Sequence, residues 1–264
     1  MKGENPIFQE ERLIAIVKYL KNHKRISVEE ICDLYEVSRD TARRDMVKLE
    51  ESGHIIRTRG GAILPTLSKE VGNYEQRMKD ESSSKLTIGR LAATLIQDGD
   101  YLLMDASTTV FHAAAAMQAR HNIVVTSSIE IAAILTRKED VTIHILGGLL
   151  DKKHHSVVGA KALEMLADYH VDKLFIGTCG ITSEGLSAPN EEDGYLTREM
   201  MRRADQVIVL ADHSKFGKRL FYRLADFQDI DILITDQEPI AEIKDLLMNC
   251  GVEIILATGG SIHD

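Results

Sequence analysis

The sequence predicts a multidomain α/β protein, with an N-terminal winged helix-turn-helix over residues 8–64 and a C-terminal domain with a mainly parallel sheet over residues 85–258. The first observation is an uneven distribution of charge. Residues 1–64 hold 12 Lys and Arg against 11 Asp and Glu, whereas the rest of the chain holds 20 against 30, for a net charge of -9. The second is helical spacing of apolar residues near the N-terminus, and the third is the alternation of short apolar runs with helical segments further on.

Length and composition fit a globular protein of two domains. The chain has 264 residues, and its hydrophobic fraction of 44% is sufficient for a core. No apolar run approaches the roughly 18 residues of a membrane span and no signal peptide opens the chain, so we expect a cytoplasmic protein without membrane contact. Cys32, Cys179 and Cys250 lie far apart, without a CxxC or Cys/His cluster. We therefore expect reduced thiols, no metal and no cofactor.

Two helices are predicted at the start of the N-terminal domain. The segment "EERLIAIVKYLKNH" has its apolar residues at helical spacing: Leu13, Ile16, Val17 and Leu20. A second helix begins at Ser27, whose side chain can accept a hydrogen bond from the amide of Glu30 while the Glu30 carboxylate reaches back to Ser27. We expect Ile31 and Leu34 of this helix to face the core.

A third helix carries the basic residues. Ser38 is its predicted N-cap and Gly53 its predicted end. At roughly 100° per residue, three apolar residues share one narrow sector: Ala42, Met46 and Leu49. Arg44 lies almost opposite this sector. Polar residues flank it: Thr41, Lys48 and Arg43.

The segment "HIIRTRGGAIL" predicts a basic wing beside the third helix. It resembles two short strands joined by a turn, with Arg57 and Arg59 on one face. Asp40 and Arg44 could form an ordinary solvated pair, but such a pair does not account for the wing. A helix-turn-helix with an arginine-rich outer face is the geometry that enters a DNA major groove. Eight residues are assigned to contact with double-stranded DNA: Ser38, Arg39, Thr41, Arg43, Arg44, Lys48, Arg57 and Arg59.

Residues 65–84 are interpreted as a linker. The segment is polar and contains Pro65, Gly72 and a run of serines. We interpret Arg77 and Lys85, near its end, as solvated charges.

Small polar motifs follow the predicted strands of the C-terminal domain. The motif "DASTT" offers the hydroxyls of Ser107, Thr108 and Thr109 beside the free amides of a helix start, which together can hold a phosphate. The other motifs are "TSS" at 126–128, the glycine pair 147–148, and "DHSKFG", with Asp212 as an acceptor for sugar hydroxyls and Lys215 as a cation. Each alone is typical of a helix cap or a solvated loop, but several at one sheet edge favour an anionic ligand.

The stretch "VSRDTARRDMVKLEESGHIIRTRGGA" resembles the winged helix of DeoR-family bacterial transcription regulators. Met46 replaces a usual leucine, and Arg59 stands where many members have His or Tyr. The motifs "DASTT", "TSS", "LGG", "DKLFIGTCGI", "SKFG" and "IDILITD" resemble that family's effector domain. This domain is similar in fold to ribose-5-phosphate isomerase and binds phosphorylated sugars or related metabolites. The resemblance spans about residues 8–258.

The resemblance implies an effector site and its residues. Four would cradle the effector: Asp105, Ser107, Thr108 and Thr109. Five would complete the pocket: Ser127, Gly148, Gly180, Asp212 and Lys215. Ser127 replaces the family's usual Asn, and "STT" replaces the commoner "GTT", which leaves the identity of the sugar open. Arg77 and Lys85 match an Arg…Lys pair that the family carries before this domain.

The sequence predicts a ligand-responsive transcription regulator rather than an enzyme. We expect a repressor of a carbohydrate-metabolism operon that a phosphorylated sugar releases, acting as a homo-oligomer, dimer or tetramer, on repeated half-sites. The alternative is a sugar-phosphate isomerase or a bifunctional protein. Isomerisation needs a carboxylate base, and isomerases of similar fold carry acidic residues in the loop after the strand that corresponds to "KLFIG". In this chain that loop reads "TCGIT" and has no carboxylate before Glu184. A DNA-processing enzyme would need a metal-binding carboxylate cluster near the N-terminal domain, and none is evident.

Overall fold

The computed structural model describes residues 8–51, 54–64 and 71–257. The described residues divide into two compact units, one up to residue 64 together with Phe216–Lys218, and the other comprising residues 71–215 and 219–257. The predicted helix end at Gly53 and the start of the predicted linker, residues 65–70, lie outside the described residues. Within the described residues, no helix is long and apolar enough to cross a membrane.

The first unit is the predicted winged helix-turn-helix. Its elements are α1 (Gln9–His23), β1 (Arg25–Ser27), α2 (Val28–Tyr35), α3 (Arg39–Glu51), β2 (Ile56–Thr58) and β3 (Gly61–Ile63). The predicted hairpin of β2 and β3 forms an antiparallel pair. The strand β1, which the sequence did not indicate, adds to β3 and gives a sheet of order β1-β3-β2.

The helices of this unit begin where the sequence predicts. The Ser27 hydroxyl accepts a hydrogen bond from the Glu30 amide at 3.1 Å, and the Ser27 amide donates to the Glu30 carboxylate at 2.7 Å. The Ser38 hydroxyl accepts from the Thr41 amide at 3.2 Å. The buried core includes the predicted apolar residues: Ile16, Leu20, Ile31, Ala42, Met46 and Leu49. The prediction for Leu34 is wrong, because its side chain is 49% exposed near the end of the short helix α2.

A buried ion pair joins α1 to α3. Asp45 is 0% exposed and Arg12 is 6% exposed. The Arg12 Nε donates to Asp45 Oδ2 at 2.6 Å, and the Gln9 amide nitrogen donates to Asp45 Oδ1 at 2.8 Å. A buried carboxylate is stable only when its oxygens are hydrogen-bonded. These contacts therefore hold α3 against α1 through its buried side, which leaves the side with Arg43 and Arg44 outward.

The second unit contains the predicted parallel sheet. Its strands are β4 (Tyr101–Met104), β5 (Asn122–Thr126), β6 (Val141–Ile145), β7 (Leu149–Asp151), β8 (Ser156–Val158), β9 (Val171–Gly177), β10 (Gly180–Thr182), β11 (Gly185–Ala188), β12 (Ala204–Leu210), β13 (Tyr222–Ala225), β14 (Ile232–Thr235) and β15 (Glu253–Leu256). Its helices are α4 (Tyr74–Lys79), α5 (Ser82–Ala93), α6 (Thr108–Ala116), α7 (Ile129–Leu135), α8 (Ala160–Leu166), α9 (Glu191–Arg202) and α10 (Ala241–Asn249). The prediction of a multidomain α/β fold is confirmed.

The order of the main sheet defines where a ligand can bind. Seven strands run in the order β15-β14-β12-β9-β4-β5-β6, and every pair is parallel. From β4 the chain adds β5 and β6 on one side, then returns to place β9 on the other side. The carboxyl ends of β4 and β9 therefore form the switch point at which open parallel sheets bind ligands.

Part of the predicted linker belongs to the second unit. Residues 74–79 form α4, which is capped by the Asn73 side chain accepting from the Gln76 amide at 2.8 Å. Tyr74 is 5% exposed, and its amide donates to the Lys153 carbonyl at 2.8 Å. This differs from the predicted domain start at residue 85, because a buried aromatic side chain anchors a segment whose composition is polar. Two small antiparallel sheets, β7-β8 and β10-β11-β13, are also additional to the predicted fold.

Candidate DNA interface and ligand cleft

The outer face of α3 presents arginines to solvent. Arg43 and Arg44 are exposed, and neither forms a hydrogen bond or an ion pair within the described part of the chain. Arg39 pairs instead with Glu29 at 3.0 Å. The alternative of an Asp40–Arg44 pair is not formed among the described residues. The guanidinium groups of Arg43 and Arg44 are thus available to an external anion or base edge.

The wing adds cations beside this face. Gly60 turns the hairpin with φ of 99°, a left-handed conformation that glycine adopts without strain. Arg57 and Arg59 are exposed, and Arg57 is 3.4 Å from the Glu50 carboxylate in a largely solvated pair. Two further predicted DNA-contacting residues are engaged in internal hydrogen bonds. The Ser38 hydroxyl bonds to that of Thr41 at 2.9 Å, and the Lys48 ammonium donates to the Gln9 side chain at 2.6 Å.

A polar cleft of about 110 Å³ lies at the switch point between β4 and β9. Three predicted effector residues line it: Asp105, Ser107 and Ser127. Other polar residues in its lining were not predicted: Arg77, His154, Ser156, Thr178, Cys179, Ser187, Asp193 and Thr197. The cleft therefore offers hydroxyl, carboxylate, imidazole and guanidinium groups, the set that recognises a small hydroxylated anion.

Asp105 follows β4 and forms a hydrogen bond to β9 at the switch point. Its carboxylate accepts from the Ser107 amide at 2.9 Å and from the Gly177 amide at 3.0 Å. Burial raises the pKa of Asp105 to about 7, although both amide bonds oppose the shift. At neutral pH this carboxyl group can therefore either accept or donate a hydrogen bond toward a ligand.

Ser107 positions the first turn of α6 at the cleft. Its hydroxyl accepts from the Thr109 amide at 3.2 Å, and Thr108 and Thr109 are each 3% exposed. A Cβ added at Gly177 would lie 2.1 Å from the Ser107 hydroxyl oxygen, so only glycine lets β9 approach this cap. The close packing directs the helix N-terminus, which favours anions, at the switch point.

Lys215 and Asp212 lie outside the cleft lining. Asp212 is 0% exposed, and its carboxylate accepts from the Ser214 amide at 3.0 Å and pairs with the Lys215 ammonium at 3.4 Å. Although burial opposes it, the Lys215 charge holds the pKa of Asp212 below its ordinary value. Gly148 and Gly180 also lie outside the lining, Gly148 with φ of 153° in close approach to the Val158 carbonyl.

Interpreting Arg77 and Lys85 as solvated charges is wrong. Arg77 lines the cleft. Lys85 is 1% exposed, and its ammonium donates to the carbonyls of Arg77 and of Asp80, the latter at 2.5 Å. Burial lowers the pKa of Lys85 to about 8. The sequence did not indicate that Lys85 is buried or that Arg77 lines the cleft.

An arginine-bearing winged helix and a polar cleft at a sheet switch point define a ligand-responsive DNA-binding regulator. The chain belongs to the DeoR family. The profile of the DeoR-like helix-turn-helix domain matches residues 12–67, and that of the DeoR C terminal sensor domain matches residues 80–237. This membership decides for a transcription regulator over the alternative of an isomerase.

Known proteins similar to this chain include named repressors. It is 51% identical over 250 residues to the HTH-type transcriptional repressor GlcR of Bacillus subtilis, covering 95% of this chain and 97% of the relative. It is 28% identical to the glycerol-3-phosphate regulon repressor of Escherichia coli K12, covering 94% and 99%. A ribose 5-phosphate isomerase A from Methanocaldococcus jannaschii superposes on 52% of this chain and 55% of its own, with 16% identity and a TM-score of 0.38.

Proposed function

We propose that this protein represses an operon of carbohydrate metabolism and that a phosphorylated sugar releases it from DNA. The observation that carries the proposal is the polar cleft at the switch point, into which Ser107 and the N-terminus of α6 face. Such a helix N-terminus suits a phosphate, and the surrounding hydroxyl and carboxyl groups suit sugar hydroxyls. Two relatives, the repressor GlcR and the glycerol-3-phosphate regulon repressor, support the same class of regulation.

On the DNA side, α3 enters the major groove and the wing contacts the flanking backbone. The exposure and free guanidinium groups of Arg43 and Arg44 support this assignment. The eight DNA-contacting residues, a DNA-binding domain over residues 8–64 and the homo-oligomeric state remain part of the proposal. A dimer or tetramer fits the symmetric operators that helix-turn-helix proteins read.

Release requires that the ligand bind one conformation better than the other. In a dimer, each subunit places one DNA-binding unit on one half-site. A sugar phosphate lowers DNA affinity only if it binds more tightly to a conformation in which these two units are poorly placed for their half-sites. Its coupling to DNA is reciprocal, so operator DNA must weaken sugar-phosphate binding by the same factor.

A thermal-unfolding screen tests the ligand class. We expect one or more phosphorylated sugars, at about 100 times Kd, to stabilise the chain by about 2.7 kcal/mol, while the unphosphorylated sugars leave its unfolding temperature unchanged. The Gly177→Ala variant should lose this response because its Cβ displaces Ser107. Gly147→Ala is the matched control, because the structure places Gly147 outside the cleft lining and its added Cβ would meet only the Met165 sulfur at 3.1 Å. Equal stabilisation by phosphorylated and unphosphorylated sugars would contradict the proposal, and turnover of a ligand would favour an isomerase.

A further inference from the structure

The strand β6 forms one open edge of the seven-stranded sheet. Apart from its pairing with β5, no hydrogen bond among the described residues involves its backbone. The Leu146 amide donates to the Thr126 carbonyl at the end of β5 at 2.9 Å. Because successive residues of a strand turn their N–H and C=O groups to alternate sides, the even-numbered residues of β6 bond to β5. The backbone groups of its odd-numbered residues therefore point to the open edge.

This edge lacks the features that protect sheet edges. Natural proteins protect an open edge with charged residues, proline, a bulge or a covering element. The strand β6 reads "VTIHI", without lysine, proline or a register shift against β5. The strand β15 at the opposite edge begins with the exposed Glu253. Of the two edges, β6 is the one suited to accept a further strand.

Exposed apolar side chains continue from β6 into β7. Ile145 is 46% exposed, and Leu149 and Leu150 of β7 are 68% and 41% exposed. Large apolar side chains exposed so close together are typical of a protein contact surface. A stable contact buries roughly 800 Å² of each partner, which is more than a pair of short strands supplies. The two leucines provide further apolar area for such a contact.

We propose that β6 pairs antiparallel with β6 of a second copy of this chain, about a two-fold axis beside Ile143. The inference rests on the proposed function, which includes a homo-oligomer. In this register Val141 lies opposite the partner's Ile145, and Ile143 lies opposite the partner's Ile143. Since the backbone groups of these residues point to the open edge, each pair exchanges both of its N–H···O bonds. The main sheet then continues from one chain into the other.

The side chains of β6 are complementary to a copy of the same strand. Val141 and Ile143 pack against the core of the sensor unit, so their apolar row continues across the axis as pairs of β-branched residues. On the other face the exposed Thr142 lies opposite the partner's His144. Like charges do not oppose each other, because the nearest charged residue, Asp140, lies beyond the paired stretch. A self-complementary strand fits the two-fold contact of a homodimer, and this favours a second copy over an unrelated protein.

The hairpin β7-β8 connects this contact to the ligand cleft. Ser156 and Val158 of β8 line the cleft, and Val158 pairs with Leu149 of β7. Ser127 also lines the cleft, and its carbonyl accepts from the Val157 amide of β8 at 2.7 Å. A ligand in the cleft therefore contacts the strand that is paired with the exposed leucines.

Sedimentation equilibrium of the full chain, without DNA or ligand, tests the contact. We expect Ile145→Lys to raise the dissociation constant of the dimer at least about 100-fold, because it places a lysine in an apolar pair on each side of the axis. In a tetramer the same variant should yield dimers. Leu256→Lys is the matched control, since Leu256 is 40% exposed on the edge strand β15, and it should change the dissociation constant less than about threefold.

Two double variants test the register. Thr142→Glu with His144→Glu sets carboxylates opposite each other across the axis and should weaken the dimer about 10- to 100-fold. Thr142→Lys with His144→Glu sets a lysine opposite a carboxylate and should associate as the wild type does. Both lose the same contact of 3.2 Å between His144 and the Tyr169 hydroxyl. Because they replace exposed side chains only, this comparison decides if Ile145→Lys does not fold.

The outcomes separate this inference from the rest of the proposed function. If the wild type associates and Ile145→Lys associates equally well, or if the two double variants behave alike, β6 is not the contact although the proposed function stands. Dissociation of Leu256→Lys alone would move the contact to the opposite edge and overturn the inference. A wild-type chain that stays monomeric at concentrations that saturate the operator would overturn the inference and the homo-oligomeric state together. The ligand class would be untouched by that result, because the thermal-unfolding screen tests it separately.

Discussion

Replacing Asp45 by alanine is expected to destabilise the DNA-binding unit by about 3–5 kcal/mol, because it removes one partner of a buried ion pair and leaves the other in a low-dielectric core. Asp45 is 0% exposed and is bonded by both Arg12 and Gln9, so no solvent is available to replace the lost contacts. DNA binding should be lost together with stability, since α3 would no longer be fixed against α1.

Amide hydrogen exchange measures this effect within the one unit. Protection in α1 and α3 should fall by roughly two or more orders of magnitude, while protection in the strands of the main sheet stays unchanged. Asp33→Ala, an exposed aspartate of α2, is the matched control and should change little. The pair Arg12→Met with Asp45→Leu should recover most of the stability, because apolar residues can replace a buried ion pair. Wild-type protection in Asp45→Ala would show that the pair contributes nothing.

Replacing Arg44 by alanine is expected to lower operator affinity by about 1–3 kcal/mol for each DNA-binding unit, and up to twice that in a dimer. Arg44 is exposed on α3, opposite the buried Ala42, Met46 and Leu49, so the substitution removes a contact to DNA without disturbing the core. The stability of the unit should therefore be preserved, in contrast to Asp45→Ala.

Fluorescence anisotropy on an operator selected from random duplexes checks this expectation. Arg44→Lys keeps the charge but not the planar fork, so it should retain salt dependence while losing discrimination between bases. Arg90→Ala changes the net charge equally but lies in the other unit, and it should bind as the wild type does. An equal loss of affinity in Arg90→Ala would reduce the role of Arg44 to general electrostatics.

The DNA-binding unit was largely predictable because its signals are local. Helical spacing placed Ala42, Met46 and Leu49 in the core, and short-range hydrogen bonds fixed the helix starts at Ser27 and Ser38. The pairing of Arg12 with Asp45 was not predictable in this way. It joins residues 33 positions apart, and a charged residue on a helix gives no sign of burial until its partner is known.

The cleft was predictable in location but not in composition. Alternating strands and helices place Asp105 and Ser107 at a sheet edge, because the carboxyl ends of parallel strands lie together. Distances within that edge depend on the hairpin β7-β8 and on α4, neither of which has a strong local pattern. For this reason the sequence favoured Lys215, which is ion-paired with Asp212, and missed Arg77, which lines the cleft.

One measurement tests most directly whether the cleft controls the DNA-binding unit. It is the affinity of the full chain for its selected operator, with and without a phosphorylated sugar that stabilises the chain. We predict that a saturating concentration of this ligand weakens operator binding by roughly 5- to 150-fold, the range of ordinary coupling between sites. The Gly177→Ala variant should bind the operator equally well in both conditions. If the wild-type chain keeps its full operator affinity at a ligand concentration that raises its unfolding temperature, the cleft does not control DNA binding.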